Sequence, residues 1–213
     1  MNIEDLYPYL LPEVPDCPDE TLRHAVVLTA IDFCKETQAW NEIADAVTLV
    51  DGTADYDIDY PTGSVAATVL GVWCDGKEMR PATQSVLDDN MPDWRTATSN
   101  RPIYYNAPAD WGSIRVYPTP AESRGATLTL RGVFIPKLSA TALPNFMAEQ
   151  FLDCLLAGTK SRLMLQPRQK WTDAQLAMAH KQTYLELRAD ARITVLSERV
   201  PGITRVRPVA FGG

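Results

Sequence analysis

The sequence of 213 residues is 46% hydrophobic and carries a formal net charge of −7, with a pI near 4.9. A chain of this length can bury a core as one large domain or two small ones. Its acidic balance argues against a general nucleic-acid binder, which needs a basic surplus. No apolar run approaches the roughly 20 residues that cross a bilayer, so we expect no membrane partner. The acidic N-terminus lacks the features of a signal peptide.

The four cysteines, Cys17, Cys34, Cys74 and Cys154, form no C-x-x-C pair, and three of them lie inside apolar patterns. Cysteines of this kind are usually buried and chemically inert. We therefore interpret them as free thiols in a reducing compartment rather than as a disulfide framework.

Prolines dominate the first segment of the chain, at Pro8, Pro12 and Pro15. They predict an extended N-terminal arm over residues 1–17, because proline interrupts regular backbone hydrogen bonding. A helix is then expected over residues 18–40, where apolar side chains recur at helical spacing. Asp19 and Glu20 suit its start, since carboxylates are stabilised by the positive end of the helix dipole.

Short alternating runs separated by turn signals predict β structure between residues 46 and 137. The expected strands are 46–50, 55–60, 65–74, 101–106, 113–118 and 126–135, with a hairpin turn at Asp75-Gly76. The polar stretch 87–99 is expected to be irregular. About six or seven short strands at this spacing favour a β-sandwich or a small β-barrel.

Three aspartates alternate along the strand predicted at 55–60, namely Asp55, Asp57 and Asp59. Carboxylates bind hard cations, but calcium loops wrap their ligands around the ion, whereas an extended strand splays them apart. A solvated strand face is the favoured interpretation, and we assign no metal ligand.

Two consecutive helices are predicted in the C-terminal half, over residues 145–165 and from Thr172 onwards. Pro167 ends the first, because proline has no N–H donor and its ring clashes with the preceding turn. Thr172 and Gln175 form a T-x-x-Q capping box, which predicts that the second helix begins at Thr172. The short connection makes the two helices antiparallel neighbours, packed against the helix at 18–40.

The expected fold class is therefore α+β. We predict an antiparallel helical bundle base with an inserted β-sandwich or small β-barrel domain, and extended N- and C-terminal arms. The predicted boundaries are residues 1–45 for the N-terminal arm and first helix, 46–137 for the β domain, 138–192 for the second and third helices, and 193–213 for the C-terminal arm. That last arm is apolar, basic and broken by prolines, so we expect it to lie on a neighbour.

Charge is unevenly distributed along the chain. Residues 1–60 contain 14 acidic and two basic residues, whereas the rest contains 13 acidic and 18 basic residues. Such asymmetry fits subunits that meet acidic side to basic side. Two separately solvated faces explain it equally well, and the sequence does not decide between them.

No residue pattern in the chain indicates catalysis. The histidines, His24 and His180, lack a neighbouring carboxylate and nucleophile in a known spacing, so we interpret them as core or interface residues. Cys34 lies on the same predicted helix as His24, too far along it to form a thiolate pair. The chain has no G-x-S-x-G elbow, phosphate loop or H-E-x-x-H motif. We predict no enzyme and no cofactor, with a small enzyme as the least favoured alternative.

Several motifs occur together in an order and spacing that resemble one known family. They are Phe33-Cys34, Thr37 and Trp40 on the first helix, Tyr56, Val72-Trp73-Cys74-Asp75-Gly76-Lys77, Pro92-Asp93-Trp94-Arg95, Arg115-Val116-Tyr117-Pro118-Thr119-Pro120, Leu143-Pro144, Gly158, Arg162-Leu163, Pro167, Trp171, Leu176-Ala177 and His180. Together they resemble the bacteriophage head-to-tail adaptor proteins, the tail-tubular-A and connector class of tailed phages. The likeness covers approximately residues 10–190, and Asp57-Ile58-Asp59 departs from its plainer apolar pattern.

The resemblance implies a structural virion protein at the head–tail junction, assembled in the host cytoplasm. Family members form a dodecameric ring beneath the portal, extend the DNA channel and present a docking surface for tail or nozzle proteins. The expected partners are therefore copies of the same chain, the portal protein, tail proteins and, non-specifically, the passing DNA. The likeness also implies that the C-terminal arm contacts the portal or an adjacent subunit through Arg199, Arg205, Arg207 and Phe211.

A tail-completion or tail-terminator protein and a capsid-decorating protein are alternative structural roles. Stoichiometry separates them, because dodecamers on a portal favour the adaptor and hexamers favour a terminator.

Overall fold

The computed structural model describes residues 1–107 and 112–199 of the chain. Its helices are α1 Tyr7–Leu10, α2 Asp19–Thr37, α3 Gln84–Asn90, α4 Asn145–Met164 and α5 Ala174–Arg199. Its strands are β1 Asn41–Ile43, β2 Val47–Thr48, β3 Asp55–Asp57, β4 Ser64–Cys74, β5 Lys77–Glu78, β6 Arg80–Pro81, β7 Thr98–Ser99, β8 Tyr104–Asn106, β9 Ser113–Tyr117, β10 Thr119–Pro120 and β11 Thr127–Pro136. The described residues thus form a mixed α+β structure.

The long helices α2, α4 and α5 share one hydrophobic core, with Phe33, Met147 and Leu155 fully buried in it. The start of α5 lies next to the end of α4, where the Asp173 N–H donates to the Met164 carbonyl at 3.2 Å. The two helices are therefore antiparallel neighbours, and α2 packs across both. Burial of apolar side chains on these faces supplies the main driving force for their packing.

The N-terminal segment differs from the extended arm that we predicted. Residues 3–6 form a 3₁₀ turn that runs into α1, and four apolar side chains of the segment are buried in the helical core: Ile3, Leu6, Leu10 and Val14. The Ile3 N–H also donates to the Thr141 carbonyl at 3.0 Å. The prediction was wrong because Pro8 lies in the first turn of α1, where the missing N–H costs nothing.

The strands form three sheets. In the largest, the order is β1-β11-β4-β5, and β2 also pairs with β11. A four-stranded sheet has the order β3-β9-β8-β6, and β7 pairs with β10 in parallel. Val72 and Leu130 of the first sheet pack with Ile114 and Val116 of the second in a shared core. The sandwich or small-barrel arrangement stays a prediction.

Two strands, β4 and β11, are much longer than the others and belong to both hydrophobic cores. Near one end they contribute Val72 and Leu130 to the core between the sheets, and near the other they contribute Ala66 and Phe134 to the helical core. Two register shifts interrupt their antiparallel pairing between these ends. The predicted hairpin at Asp75-Gly76 connects β4 to β5, and both turn residues have the positive φ that such a turn requires.

Both ends of α5 differ from the prediction. The Asp173 carboxylate accepts a hydrogen bond from the Leu176 N–H at 2.9 Å and caps the helix, whereas the Thr172 hydroxyl donates to the Gln166 carbonyl in the preceding loop. A charged oxygen is the stronger acceptor for a helix N-terminus. At the other end α5 continues to Arg199, so the first residues of the predicted C-terminal arm, which begins at residue 193, are helical.

Two further boundaries were missed. Strand β1 begins at Asn41, before the predicted β domain, and α3 lies partly within the stretch predicted to be irregular. Among the helices of the described residues, none combines the length and hydrophobicity needed to span a bilayer.

Candidate assembly surfaces

Most of the predicted partner-binding residues fall outside the described part of the chain. Arg205, Arg207 and Phe211 lie beyond residue 199, and Arg199 is described only as the last backbone position of α5. We therefore describe the surfaces of α2, α4 and α5. They contain two clusters of charged side chains and several grooves.

The first cluster ties the N-terminal segment to α4 and α5. Glu13 accepts hydrogen bonds from the Lys160 ammonium at 2.5 Å, and its second oxygen lies 2.7 Å from Nε2 of His180. Asp16 pairs with Lys170 at 2.8 Å. Burial alone would raise the pKa of Glu13, but its hydrogen bonds to Lys160 and His180 bring that pKa below its usual value. The glutamate is therefore held as a carboxylate, and His180 has a partner that its sequence context did not reveal.

This cluster bears on the uneven charge of the chain. Six ion pairs between lysine or arginine and an acid occur among the described residues, and four of them join an acid within residues 1–60 to a base after residue 60. Part of the complementary charge is thus satisfied within one subunit, a possibility that the sequence prediction did not consider. Exposed pairs of this kind contribute little individually.

The second cluster joins α2 to α5. Asp32 accepts a hydrogen bond from the Tyr184 hydroxyl at 2.5 Å and from Nη1 of Arg188 at 2.8 Å. Burial, followed by the neighbouring Asp32 carboxylate, raises the pKa of the Tyr184 hydroxyl, so it stays protonated and acts as a donor. The ring reaches Asp32 because Gly158 of α4 has no side chain, and a Cβ there would lie 2.8 Å from the tyrosine ring.

Two of these grooves flank opposite ends of α4. One, of about 730 Å³, lies between α2 and the end of α4 and is lined by Glu20, His24, Leu28, Arg162 and Leu165, among others. The exposed His24 belongs to this groove rather than to the core. The other groove, of about 410 Å³, lies between the first half of α4 and the second half of α5.

The aspartates of the predicted 55–60 strand do not converge. Asp55 and Asp57 are exposed on β3, and Asp55 lies 3.7 Å from Arg115 of the neighbouring strand β9. Within residues 1–107 and 112–199, no group of three or more histidines, cysteines or carboxylates is placed to hold a metal ion. All four cysteines are buried and free, and burial raises the pKa of the Cys154 thiol to about 12.

Comparison with known families places this chain among the bacteriophage adaptor proteins, which are structural rather than catalytic. The chain belongs to the SU10 adaptor protein family, which it matches over residues 1–207. No curated protein matches the sequence significantly. The protein is accordingly a phage structural adaptor and a virion component.

Proposed function

We propose that this protein is the head-to-tail adaptor of a tailed phage, similar to the tail-tubular-A class. In this role a ring of twelve copies joins the portal to the tail and extends the DNA channel. The supporting observation is the family match, which covers the helical core, the sheets and most of the C-terminal segment.

The portal-binding part of the proposal assigns the predicted contact residues to the end of the chain. α5 carries the chain to Arg199, and Arg205, Arg207 and Phe211 follow. Arginine pairs bidentately with carboxylates, and an aromatic ring supplies buried area, so such a segment suits a protein contact. The partner in this proposal is the portal or an adjacent subunit, with tail or nozzle proteins on the opposite side of the ring.

The channel-lining part of the proposal rests on charge. Each copy carries −7, so a ring of twelve would total about −84. A lumen that is negative on balance repels phosphates and lets the genome slide rather than adhere. Tight, salt-sensitive binding of duplex DNA by the assembled ring would contradict this part of the proposal.

The decisive experiment mixes the purified protein with purified portal and images the particles by electron microscopy. The adaptor proposal expects a twelve-fold ring on one face of the portal. A hexamer that binds tail tubes instead would indicate a terminator, and binding to capsid lattice would indicate a decorating protein. A monomer or dimer that does not bind the portal would refute the proposal. Sedimentation of the protein alone shows whether the ring forms without the portal.

A further inference from the structure

The groove between α4 and α5 has an apolar floor and an acidic rim. Half-buried Phe151, Leu152 and Leu187 lie among its lining residues. The Phe151 ring is held in place by Phe33, with ring centroids 4.9 Å apart, and by Phe146 at 6.3 Å. Because these ring contacts hold Phe151 in place, the groove cannot close over its own apolar surface. An apolar side chain that displaces water from this surface would therefore bind favourably.

Three exposed carboxylates line the same groove, those of Glu149, Asp153 and Asp190. None of them makes a salt bridge with a residue in the described ranges, and the described residues of the lining include no basic side chain. Carboxylates at close spacing repel one another, and a cation between them relieves the repulsion. An occupant that combines apolar and basic side chains would therefore fit both the floor and the rim.

The chain itself supplies such a segment, and it begins near the groove. α5 contributes Leu187, Asp190 and Thr194 to the lining and ends soon after, at Arg199. Residues 200–213 contain two arginines, several apolar side chains and no acidic residue. They start with Pro201-Gly202, a dipeptide that favours a turn just past a helix end.

We propose that residues 203–211 fold back onto this groove of the same chain, with Arg205 and Arg207 at the acidic rim and the apolar residues over the Phe151 floor. The tether between α5 and the docked segment is only a few residues long, which gives the segment an effective concentration on the order of millimolar. A weak affinity is therefore enough to keep it docked. In the free subunit the segment is bound in the groove, and it dissociates when a partner with higher affinity binds it. This inference does not depend on the proposed ring.

The test uses the full chain with cysteines introduced on the groove and on the segment. Gln150→Cys lines the groove at an exposed position, and Val209→Cys lies in the segment. All four native cysteines are buried, and the one that lines the groove, Cys154, reacts slowly because burial raises the pKa of its thiol to about 12. At low protein concentration the paired variant is expected to oxidise to an intramolecular disulfide, which migrates faster than the reduced monomer on a non-reducing gel.

A control pair replaces the groove position with Met178→Cys, which is 57% exposed on α5 and outside the groove lining. This pair is expected to oxidise at least tenfold more slowly. If both pairs react equally fast, the segment has no preferred site and the proposal is overturned. If the groove pair yields only intermolecular dimers, the occupant is a neighbouring copy and the same-chain proposal is likewise overturned.

Charge is tested in the same paired variant by adding Glu149→Gln, Asp153→Asn and Asp190→Asn. The three side chains are exposed, so the fold should survive, which circular dichroism checks. The disulfide rate is expected to fall about tenfold and to lose its dependence on salt, because salt screens only charged partners. An unchanged, salt-sensitive rate would show that the rim does not hold the arginines.

Discussion

The Tyr184 hydroxyl on α5 donates a 2.5 Å hydrogen bond to the Asp32 carboxylate on α2, and the Tyr184 ring packs closely against Gly158 of α4. The three residues come from three different helices. The hydrogen bond joins α2 directly to α5, and the glycine lets the Tyr184 ring lie close to α4. Changes at any of the three should therefore be measurable as changes in stability.

Removing the hydroxyl in Tyr184→Phe leaves the partly buried Asp32 carboxylate with Arg188 as its remaining partner. We expect the free energy of unfolding to fall by about 1–2 kcal/mol, because a hydrogen bond to a charged group is lost without any gain in packing. Urea unfolding followed by circular dichroism measures the change. The control is Tyr9→Phe at a 54% exposed tyrosine, where no comparable loss is expected. If the two variants lose the same free energy of unfolding, the hydrogen bond to Asp32 contributes nothing to stability.

Adding a methyl group in Gly158→Ala should destabilise the protein even though alanine is the better helix former. The new Cβ would lie 2.6 Å from Cγ2 of Thr29 and 2.8 Å from the Tyr184 ring. Overpacking of this kind typically costs about 1–3 kcal/mol. Thr29→Ser removes Cγ2 but keeps the hydroxyl that donates to the Ala25 carbonyl, so the double variant should recover part of the loss. A Gly158→Ala protein that is more stable than wild type would refute the close approach.

The carboxylate of Glu13 predicts a specific response to acid. Its pKa lies below the usual 4.5, so it contributes stability at pH above that value and loses the contribution as the pH falls through the lowered pKa. Glu13→Gln should be less stable than wild type at pH about 6, and the difference should narrow towards pH about 3. Thermal melts across this range provide the measurement. Glu36→Gln, at an exposed glutamate without a salt bridge among the described residues, should show no such convergence.

The buried N-terminal segment predicts that two adjacent leucines behave differently. Leu10 is fully buried in the helical core, whereas its neighbour Leu11 is 39% exposed. Leu10→Ala should destabilise by about 2–5 kcal/mol through lost burial and the resulting cavity, and Leu11→Ala by much less. Chemical denaturation of the two variants compares them directly. If both variants lose equally little stability, the earlier prediction that residues 1–17 form an extended arm outside the core is supported instead.

The elements that the sequence predicted well are those with a long, regular pattern. α2, α4, β4 and β11 lie close to their predicted bounds because many residues report the same periodicity. The N-terminal segment was misjudged because its prolines outweighed the helical spacing of Ile3, Leu6, Leu10 and Val14, a signal that was present. α3 was missed because one short helix contributes few periodic positions, although Thr83 is a suitable N-cap and accepts from the Val86 N–H at 3.4 Å.

The side-chain clusters could not be predicted from the sequence in the same way. Glu13 and His180 are distant in the chain, and each alone is an ordinary polar residue. Their pairing depends on how the N-terminal segment lies across α4 and α5, which is decided by burial rather than by any local motif. The acidic rim of the α4–α5 groove is hidden for the same reason, because Glu149, Asp153 and Asp190 come from two helices.

The pairing of β4 with β11 along their whole length, with two register shifts, has a mechanical consequence. Since the same two strands enter both hydrophobic cores, the helices and the sheets are joined by a hydrogen-bonded ribbon as well as by covalent links. Bending one part against the other would require this ribbon to deform, and a domain connected by a single linker would meet no such resistance. We therefore expect relative motion of the helices and the sheets within one subunit to be more restricted than between two domains that share only a linker.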